Sequence, residues 1–290
     1  MLGPWGGARW RSGLARMNCI HAPYIASGAI SNDDLLLTLS LFAGEPVRWI
    51  EKYEWRPLTQ LELCALGVFW KGVGDAMGIF YDVLPSSPRQ GGEWRDGAHW
   101  LDEVVAWAGE YEKQKMVPSP SNHEVAEQTT AILLWSVPAP LKPLGKEAVA
   151  ALMDERLRLA MQYDAPRPAV ATFVVGMLHI RAFVLRHFFL PRPRWWPYLQ
   201  VSLEPDAQGR YFSNTWESLP YYVRPTLWNR WVSPASWVAR LAGLPVPGEG
   251  YCPQGYVPAV CGPRHGLGQQ ERMEEVVKEV GRRSCPVAFA

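Results

Sequence analysis

The sequence predicts a mainly α protein: a single multi-helix domain with a long irregular C-terminal segment rich in aromatic residues and proline. Three observations predict this fold class. Apolar residues recur at helical spacing through the first two-thirds of the chain, helix-capping patterns precede several of these runs, and no alternating run is long enough for a strand. The 290 residues, of which 48% are apolar, suffice for one large domain or at most two.

Capping residues and prolines set the expected helix bounds in the first 115 residues. The first 30 residues are rich in glycine and arginine, and we expect them to be irregular. Ser31 provides N-cap chemistry, and Pro46 should kink or restart the helix that follows. The capping box of Thr59 and Glu62 opens the next helix, which should end at Gly78. The helices predicted here span residues 35–42, 47–55, 59–77 and 98–115.

Prolines also divide the middle of the chain. A second capping box, Ser121 to Glu124, predicts a helix start. The helices predicted in the rest of the chain span residues 121–135, 146–163, 169–190, 233–241 and 271–282. The helix over 169–190 is long enough to cross a membrane, but His179, Arg181, Arg186 and His187 lie in its second half. Because charges are costly at a bilayer centre, we expect a buried or interfacial helix instead.

The last third of the chain is the most unusual in composition. Over residues 194–268, tryptophan, proline and arginine interleave without helical or strand periodicity, yet the segment is too aromatic for disorder. We expect it to pack over the helical core. The predicted organisation is an irregular N-terminus over 1–15, a helical domain over 16–268, and a charged, peripheral C-terminal helix and tail over 269–290.

Composition excludes several functional classes. The net charge is +1, with basic and acidic residues interleaved, so we expect no nucleic-acid partner. Five cysteines at irregular spacing form no Cys-x-x-Cys pattern, which predicts free thiols. The N-terminus lacks the apolar core of a secretory signal, so we expect a protein that is not secreted and is soluble or peripherally attached to a membrane.

No catalytic motif stands out, so candidate sites rest on single residues. His99 and Glu103 are spaced to share one face of a helix, but such pairs are mostly solvated surface groups. The acids Glu45, Asp75 and Glu103 could serve a cofactor-free cyclase or isomerase. His21 is a lone histidine in a segment that becomes apolar. A lone histidine is more often a packed core residue than a ligand, although a single neutral imidazole is the usual axial donor to haem iron.

Four stretches carry a resemblance to a known family. They are the Arg16 to Ala22 segment that ends in His21-Ala22, the helix start at 30–39 that opens with Ile-Ser-Asn-Asp-Asp-Leu, the stretch at 56–78 from Arg-Pro-Leu-Thr through Phe-Trp-Lys-Gly-Val-Gly-Asp-Ala-Met-Gly, and the aromatic segment over 221–265. In this order and separation they resemble the superfamily of fungal MpaB proteins and bacterial rubber oxygenases (latex-clearing proteins). The catalytic domain of this superfamily is all-helical, and its characterised rubber oxygenases bind b-type haem.

The resemblance implies a site and a reaction. His21 falls where the family has its proximal haem ligand, and Arg16 falls where a basic residue precedes it. The implied protein is a haem b oxygenase that acts on an apolar, isoprenoid- or polyketide-like small molecule, in fungal secondary metabolism. Its expected location is the cytoplasm or the periphery of the endoplasmic reticulum; the oligomeric state is not implied. An apolar pocket would be lined by residues such as Phe69, Trp70, Met77 and Val174.

One departure from the family pattern leaves an alternative open. In rubber oxygenases a distal cluster of Lys, Thr and Arg lies upstream of the ligand histidine, whereas the 20 residues before His21 contain neither Lys nor Thr, and no membrane-anchoring segment. We therefore expect either a shortened sequence or a protein that has lost the distal half of the site. In the second case the chain would be a non-catalytic helical binding or accessory protein of a biosynthetic pathway.

Overall fold

The computed structural model describes residues 7–193, 195, 197–216, 219–262 and 275–278. Within this part the chain forms nine α-helices and no β-strand, so the mainly α prediction is confirmed. The helices are α1 (Ala8–Ala26), α2 (Asn32–Tyr53), α3 (Gln60–Met77), α4 (Gly97–Lys115), α5 (Pro120–Leu133), α6 (Lys142–Leu152), α7 (Glu155–Ala160), α8 (Pro168–Phe188) and α9 (Pro234–Leu241).

Contacts divide the chain into two compact units. Unit 1 contains the described residues of 1–116, 181–187 and 258–290, and unit 2 contains those of 117–180 and 188–257. The hydrophobic core of unit 1 joins α1 to α4, and its most deeply buried side chains are Leu14, Leu36, Val73, Leu84, Trp100 and Val104. The domain bounds predicted at residues 16 and 268 stay a prediction.

The N-terminal segment is helical, which contradicts the expectation that residues 1–30, including the irregular N-terminus over 1–15, lack regular structure. Helix α1 begins at Ala8, after Gly7 as N-cap, while residues 1–6 lie outside the described part. Trp10 and Leu14 on this helix are buried in the core of unit 1. Burial of these apolar side chains outweighs the low helix propensity of a glycine-containing segment, because packing routinely overrides propensity.

The caps of α2 and α3 follow the sequence prediction closely. Ser31 and Thr59 each form a complete capping box, and α3 ends at Gly78, whose φ of 75° is in the left-handed region that favours glycine. Pro46, however, lies inside a continuous α2 and does not restart it. Its neighbours Ala43 and Val47 pack in or against the core, which holds the helix together across the missing backbone hydrogen bond.

Helices α3 and α4 touch through two glycines. A Cβ atom added at Gly67 would overlap the carbonyl of Gly97, and one added at Gly97 would overlap the carbonyl oxygen of Cys64. Both glycines are buried. The two backbones are therefore in direct contact, and no residue with a side chain fits at either position without moving a helix.

The helices of unit 2 differ from the prediction in where they begin and in how many there are. Helix α5 begins with Pro120 at its first turn after Ser119, so the capping box predicted at Ser121 does not form. The single helix predicted over 146–163 is two helices, α6 and α7. The side chain of Asp154 accepts a hydrogen bond from the backbone N–H of Leu157 and so starts α7.

Helix α8 is long and apolar, but it has no buried residue. It has 21 residues, and among the described residues it is the one helix long and apolar enough to cross a membrane by length and composition. Large side chains such as Phe173 and Ile180 are 67% and 60% exposed. The expectation of a buried helix is therefore wrong, while the interfacial alternative stays a prediction.

The C-terminal third is irregular as predicted, within the part that the structure describes. Isolated bridges such as Tyr211 to Tyr256 join its loops, and Tyr211, Phe212 and Val223 are buried in unit 2. Residues 275–278 are helical, and Val276 packs against the core of unit 1. The rest of the helix predicted over 271–282 lies outside the described residues, and its peripheral position stays a prediction.

The glycine contact between α3 and α4 predicts a large effect from one methyl group. Gly67→Ala should destabilise the protein by about 3 kcal/mol or more, because the new Cβ overlaps a backbone carbonyl. Gly109→Ala on α4 is the matched control. Nothing lies within 4 Å of a Cβ added there, so this change should stabilise by about 0.5–1 kcal/mol through helix propensity. Thermal unfolding followed by circular dichroism measures both; equal midpoints would contradict the close contact.

Candidate functional site

Helix α1 carries both predicted site residues, and it lies inside unit 1. No residue from Arg9 to Ala22 is exposed. Trp10 and Leu14 face the hydrophobic core, and Arg9 and Arg16 are 9% and 5% exposed. The helix is thus buried or partly buried from Arg9 to Ala22 and exposed at both ends, at Ala8 and over 23–26.

His21 lies near the C-terminal end of this helix and is half-buried. The helical period places it within about 20° of Trp10 around the axis, on the side that faces the core. Its Nδ1 atom is buried and has no hydrogen-bond partner among the described residues. Burial lowers the pKa of His21 below the ordinary value of 6.5, so the ring is neutral near pH 7.

Arg16 lies on a different side of α1 from His21. Five residues separate them, which corresponds to about 140° around a helix axis. The Nε–H of Arg16 donates to the carbonyl oxygen of Cys261 at 2.9 Å, and Gly262 lies against Ile20. Arg16 therefore holds the turn at 258–262 against α1. Its assignment to cofactor binding stays a prediction.

Asn18 fixes α1 against the end of α3. Its Nδ2 donates to the carbonyl oxygen of Ala76 at 3.0 Å. Asn18 precedes His21 by three residues and so lies on a neighbouring part of the same helix surface. The position of the His21 ring relative to α3 is thereby set by a hydrogen bond one turn away. Sequence reasoning had not singled out this residue.

The donor chemistry of His21 fits an axial haem ligand. A neutral imidazole with an unpartnered ring nitrogen can coordinate iron, and one such ligand suffices when the macrocycle supplies the in-plane donors. Among the described residues, no three His, Cys, Asp or Glu side chains gather into a metal site. The sequence-predicted pocket residues divide: Phe69, Trp70 and Met77 pack against the core of unit 1, whereas Val174 belongs to unit 2.

Comparison with curated proteins gives the family. The chain is 45% identical over 272 residues to "ER-bound oxygenase mpaB'" of Penicillium brevicompactum, an alignment that covers 92% of this chain and 63% of the relative. It is 42% identical over 236 residues to "ER-bound oxygenase mpaB" of the same organism, covering 81% and 53%. The chain belongs to the MpaB family. No family model and no solved structure matches it.

A third MpaB relative confirms the pattern of partial coverage. "ER-bound oxygenase mpaB" of Penicillium roqueforti is 51% identical over 150 residues, which are 52% of this chain and 49% of the relative. The chain thus spans about half to two-thirds of the length of these curated MpaB proteins.

His99 and Glu103, the other candidate site in this MpaB-family chain, belong to a network of hydrogen bonds that supports the fold. Glu103 accepts hydrogen bonds from Ser86 N at 3.1 Å, Ser86 Oγ at 2.6 Å and Trp94 Nε1 at 2.9 Å, and His99 Nε2 lies 3.3 Å from its Oε1. The Glu103 side chain is only 13% exposed. The expectation that His99 and Glu103 are solvated surface groups is therefore wrong; they join α4 to the loop before it.

The acids considered for cofactor-free catalysis are each engaged by a donor. Arg48 pairs with Glu45 at 2.5 Å, and Lys71 pairs with Asp75 at 2.8 Å. Both pairs lie within one helix at three- or four-residue spacing, which is the usual geometry of a stabilising surface pair. With Glu103 held by Ser86 and Trp94, each of the three carboxylates has a structural partner, and the cofactor-free alternative stays a prediction.

The Glu103 network predicts a pH-dependent contribution to stability. Burial alone would raise the pKa of Glu103, but the hydrogen bonds from Ser86 and Trp94 and the charge of His99 outweigh it and lower the pKa below 4.5. Glu103→Gln should cost about 1–3 kcal/mol, because an amide NH2 then faces N–H donors. Since the folded-state pKa is lowered, this difference should be complete above pH 4.5 and shrink as the pH falls below it.

Thermal unfolding of wild type and variant across pH measures this difference. The control is Glu110→Gln on the same helix, whose carboxylate is 68% exposed beside Lys113 and should change stability by less than about 0.5 kcal/mol. A Glu103→Gln effect as small as that of the control, or one that grows at acid pH, would contradict the network.

Proposed function

We propose that this chain is the haem-binding part of an MpaB-type oxygenase, in which His21 would hold the iron of haem b. One observation carries the proposal: the His21 ring is neutral, half-buried on a helix without exposed residues from 9 to 22, and its Nδ1 has no partner among the described residues. A nitrogen in that state is costly unless something binds the ring. The printed names of the relatives support an oxygenase activity.

The residues around His21 would orient the ligand and keep the site dry. Haem would supply the binding of O2 and the electron chemistry when it is bound. The imidazole would be presented by a helix that Asn18 ties to α3 and that Arg16 ties to the 258–262 turn. The apolar side chains of Trp10, Leu14 and Met17 on the same helix exclude water from its core-facing side.

The substrate class proposed is an apolar small molecule, isoprenoid- or polyketide-like, in fungal secondary metabolism. Support comes from the fungal relatives named oxygenases and from the apolar surroundings of α1. We also propose peripheral association with the endoplasmic reticulum. The relatives are named ER-bound, and α8 is a long apolar helix without a buried residue.

The visible spectrum of the purified protein tests the haem proposal. Wild type, as isolated or after addition of haemin, should show a Soret band, and His21→Ala should lose or strongly shift it, with recovery when free imidazole is added. His179→Ala, which changes an exposed histidine on α8, should keep the wild-type spectrum. Far-ultraviolet circular dichroism checks that both variants are folded.

Two outcomes would contradict this proposal. Wild type that stays colourless after haemin addition would leave the alternative of a non-catalytic binding or accessory protein. A His21→Ala spectrum identical to that of wild type would assign the iron to another ligand. Because the pKa of His21 is lowered, haem binding should persist at pH 6.5 and weaken only at more acid pH, where the ring takes up a proton.

A further inference from the structure

Helix α9 buries its small and polar side chains and exposes its large apolar ones, which is the opposite of an ordinary surface helix. Its small and polar side chains point inward: Ser233, Ser236 and Ala239 are 8%, 1% and 6% exposed. Its large apolar side chains point outward: Trp237, Val238 and Leu241 are 59%, 65% and 86% exposed. An ordinary surface helix buries its apolar stripe, so this orientation calls for an apolar partner beyond the described residues.

The turn before α9 extends the same apolar surface. Residues 228–232 form one turn of π-helix directly before the N-cap of α9, and Leu227, Trp228 and Trp231 are 80%, 62% and 53% exposed. We call the combined surface the α9 face; its members are Leu227, Trp228, Trp231, Trp237, Val238 and Leu241. Hydrogen bonds from Ser236 to Ser233 fix the helix start, so the face is already formed in the chain alone.

Positive charge from Arg230 and Arg240 borders the α9 face, and Glu249 Oε1 lies 4.0 Å from Arg230 Nη2. The guanidinium of Arg240 lies 4.1 Å from the Trp231 ring centroid, and that of Arg230 lies 5.9 Å from it. Arg240 Nη2 also donates to the carbonyl oxygen of Arg230 at 3.1 Å. Exposed tryptophan and leucine beside arginine is the composition that binds the interface between lipid acyl chains and anionic headgroups.

We propose that the α9 face inserts into the headgroup region of a lipid bilayer and is the membrane-docking surface of this chain. The inference rests on the proposed membrane association and names the residues that would contact the lipid. Lipid fits better than a protein groove because the exposed apolar side chains include three tryptophans, and because the charge beside them is mostly positive, with Arg224, Arg230 and Arg240 against the single acid Glu249 between residues 219 and 262. Binding therefore combines apolar burial with charge attraction.

Vesicle co-sedimentation of the 290-residue chain tests the α9 face. The probe is vesicles of phosphatidylcholine with a minor fraction of phosphatidylinositol. The test variant, Trp237→Glu with Leu241→Glu, adds two charges at exposed positions and should reduce vesicle binding about tenfold or more. The control, Leu61→Glu with Val125→Glu, adds the same charge at sites 80% and 63% exposed and should bind like wild type. Wild-type binding should also weaken with added salt and without phosphatidylinositol.

Three other outcomes would overturn the inference, and each can be told apart from the others. If wild type binds vesicles and the α9 variant binds equally, the α9 face is not the docking surface, while membrane association stands. If wild type does not bind, both fall, and the haem proposal is untouched because its readout is the Soret band. If sedimentation shows a wild-type dimer that the α9 variant converts to monomer, the face belongs to a second copy of the chain.

Discussion

The contact between the backbones of α3 and α4 at Gly67 and Gly97 constrains the whole of unit 1. With no side chain between the helices, Trp100 on α4 is brought fully into the core, beside the Tyr81 ring at 5.8 Å. Tyr81 also lies edge-on to Trp94 at 5.9 Å, and its hydroxyl donates to the carbonyl of Lys71 on α3. A wider crossing would separate these rings and leave a cavity in place of tightly packed aromatics.

The close α3–α4 pair also defines where α1 can lie. Helix α1 meets the end of α3 through the Asn18–Ala76 hydrogen bond and buries Trp10 and Leu14 in the shared core. His21 is therefore held at the edge of a packed aromatic core instead of on a loop. A ligand on a helix whose neighbours are fixed keeps its orientation, which a cofactor site requires of its protein donors.

The sequence predicted the parts of the fold that depend on local chemistry. The N-cap at Ser31, the capping box at Thr59 and the glycine end of α3 are short-range patterns that form, whereas the capping box predicted at Ser121 does not. Helix α1 was missed because its stability comes from long-range burial, which glycine and arginine content hides. Arg16 and His21 could be named only by family likeness. The hydrogen bond from Asn18 to Ala76 joins residues far apart in the sequence, and no local pattern predicts it. The same holds for the hydrogen bonds from Ser86 and Trp94 to Glu103.

The hydrogen bond from Arg16 to the carbonyl oxygen of Cys261 spans 245 residues of sequence. Closing so long a loop is slow and carries a large entropic cost, so this contact forms late in folding. During synthesis the N-terminal helices leave the ribosome long before residue 261 does. Helix α1, with His21 on it, thus lacks this contact until residue 261 has been made. The order of translation therefore places completion of this region after the synthesis of all the helices from α2 to α9.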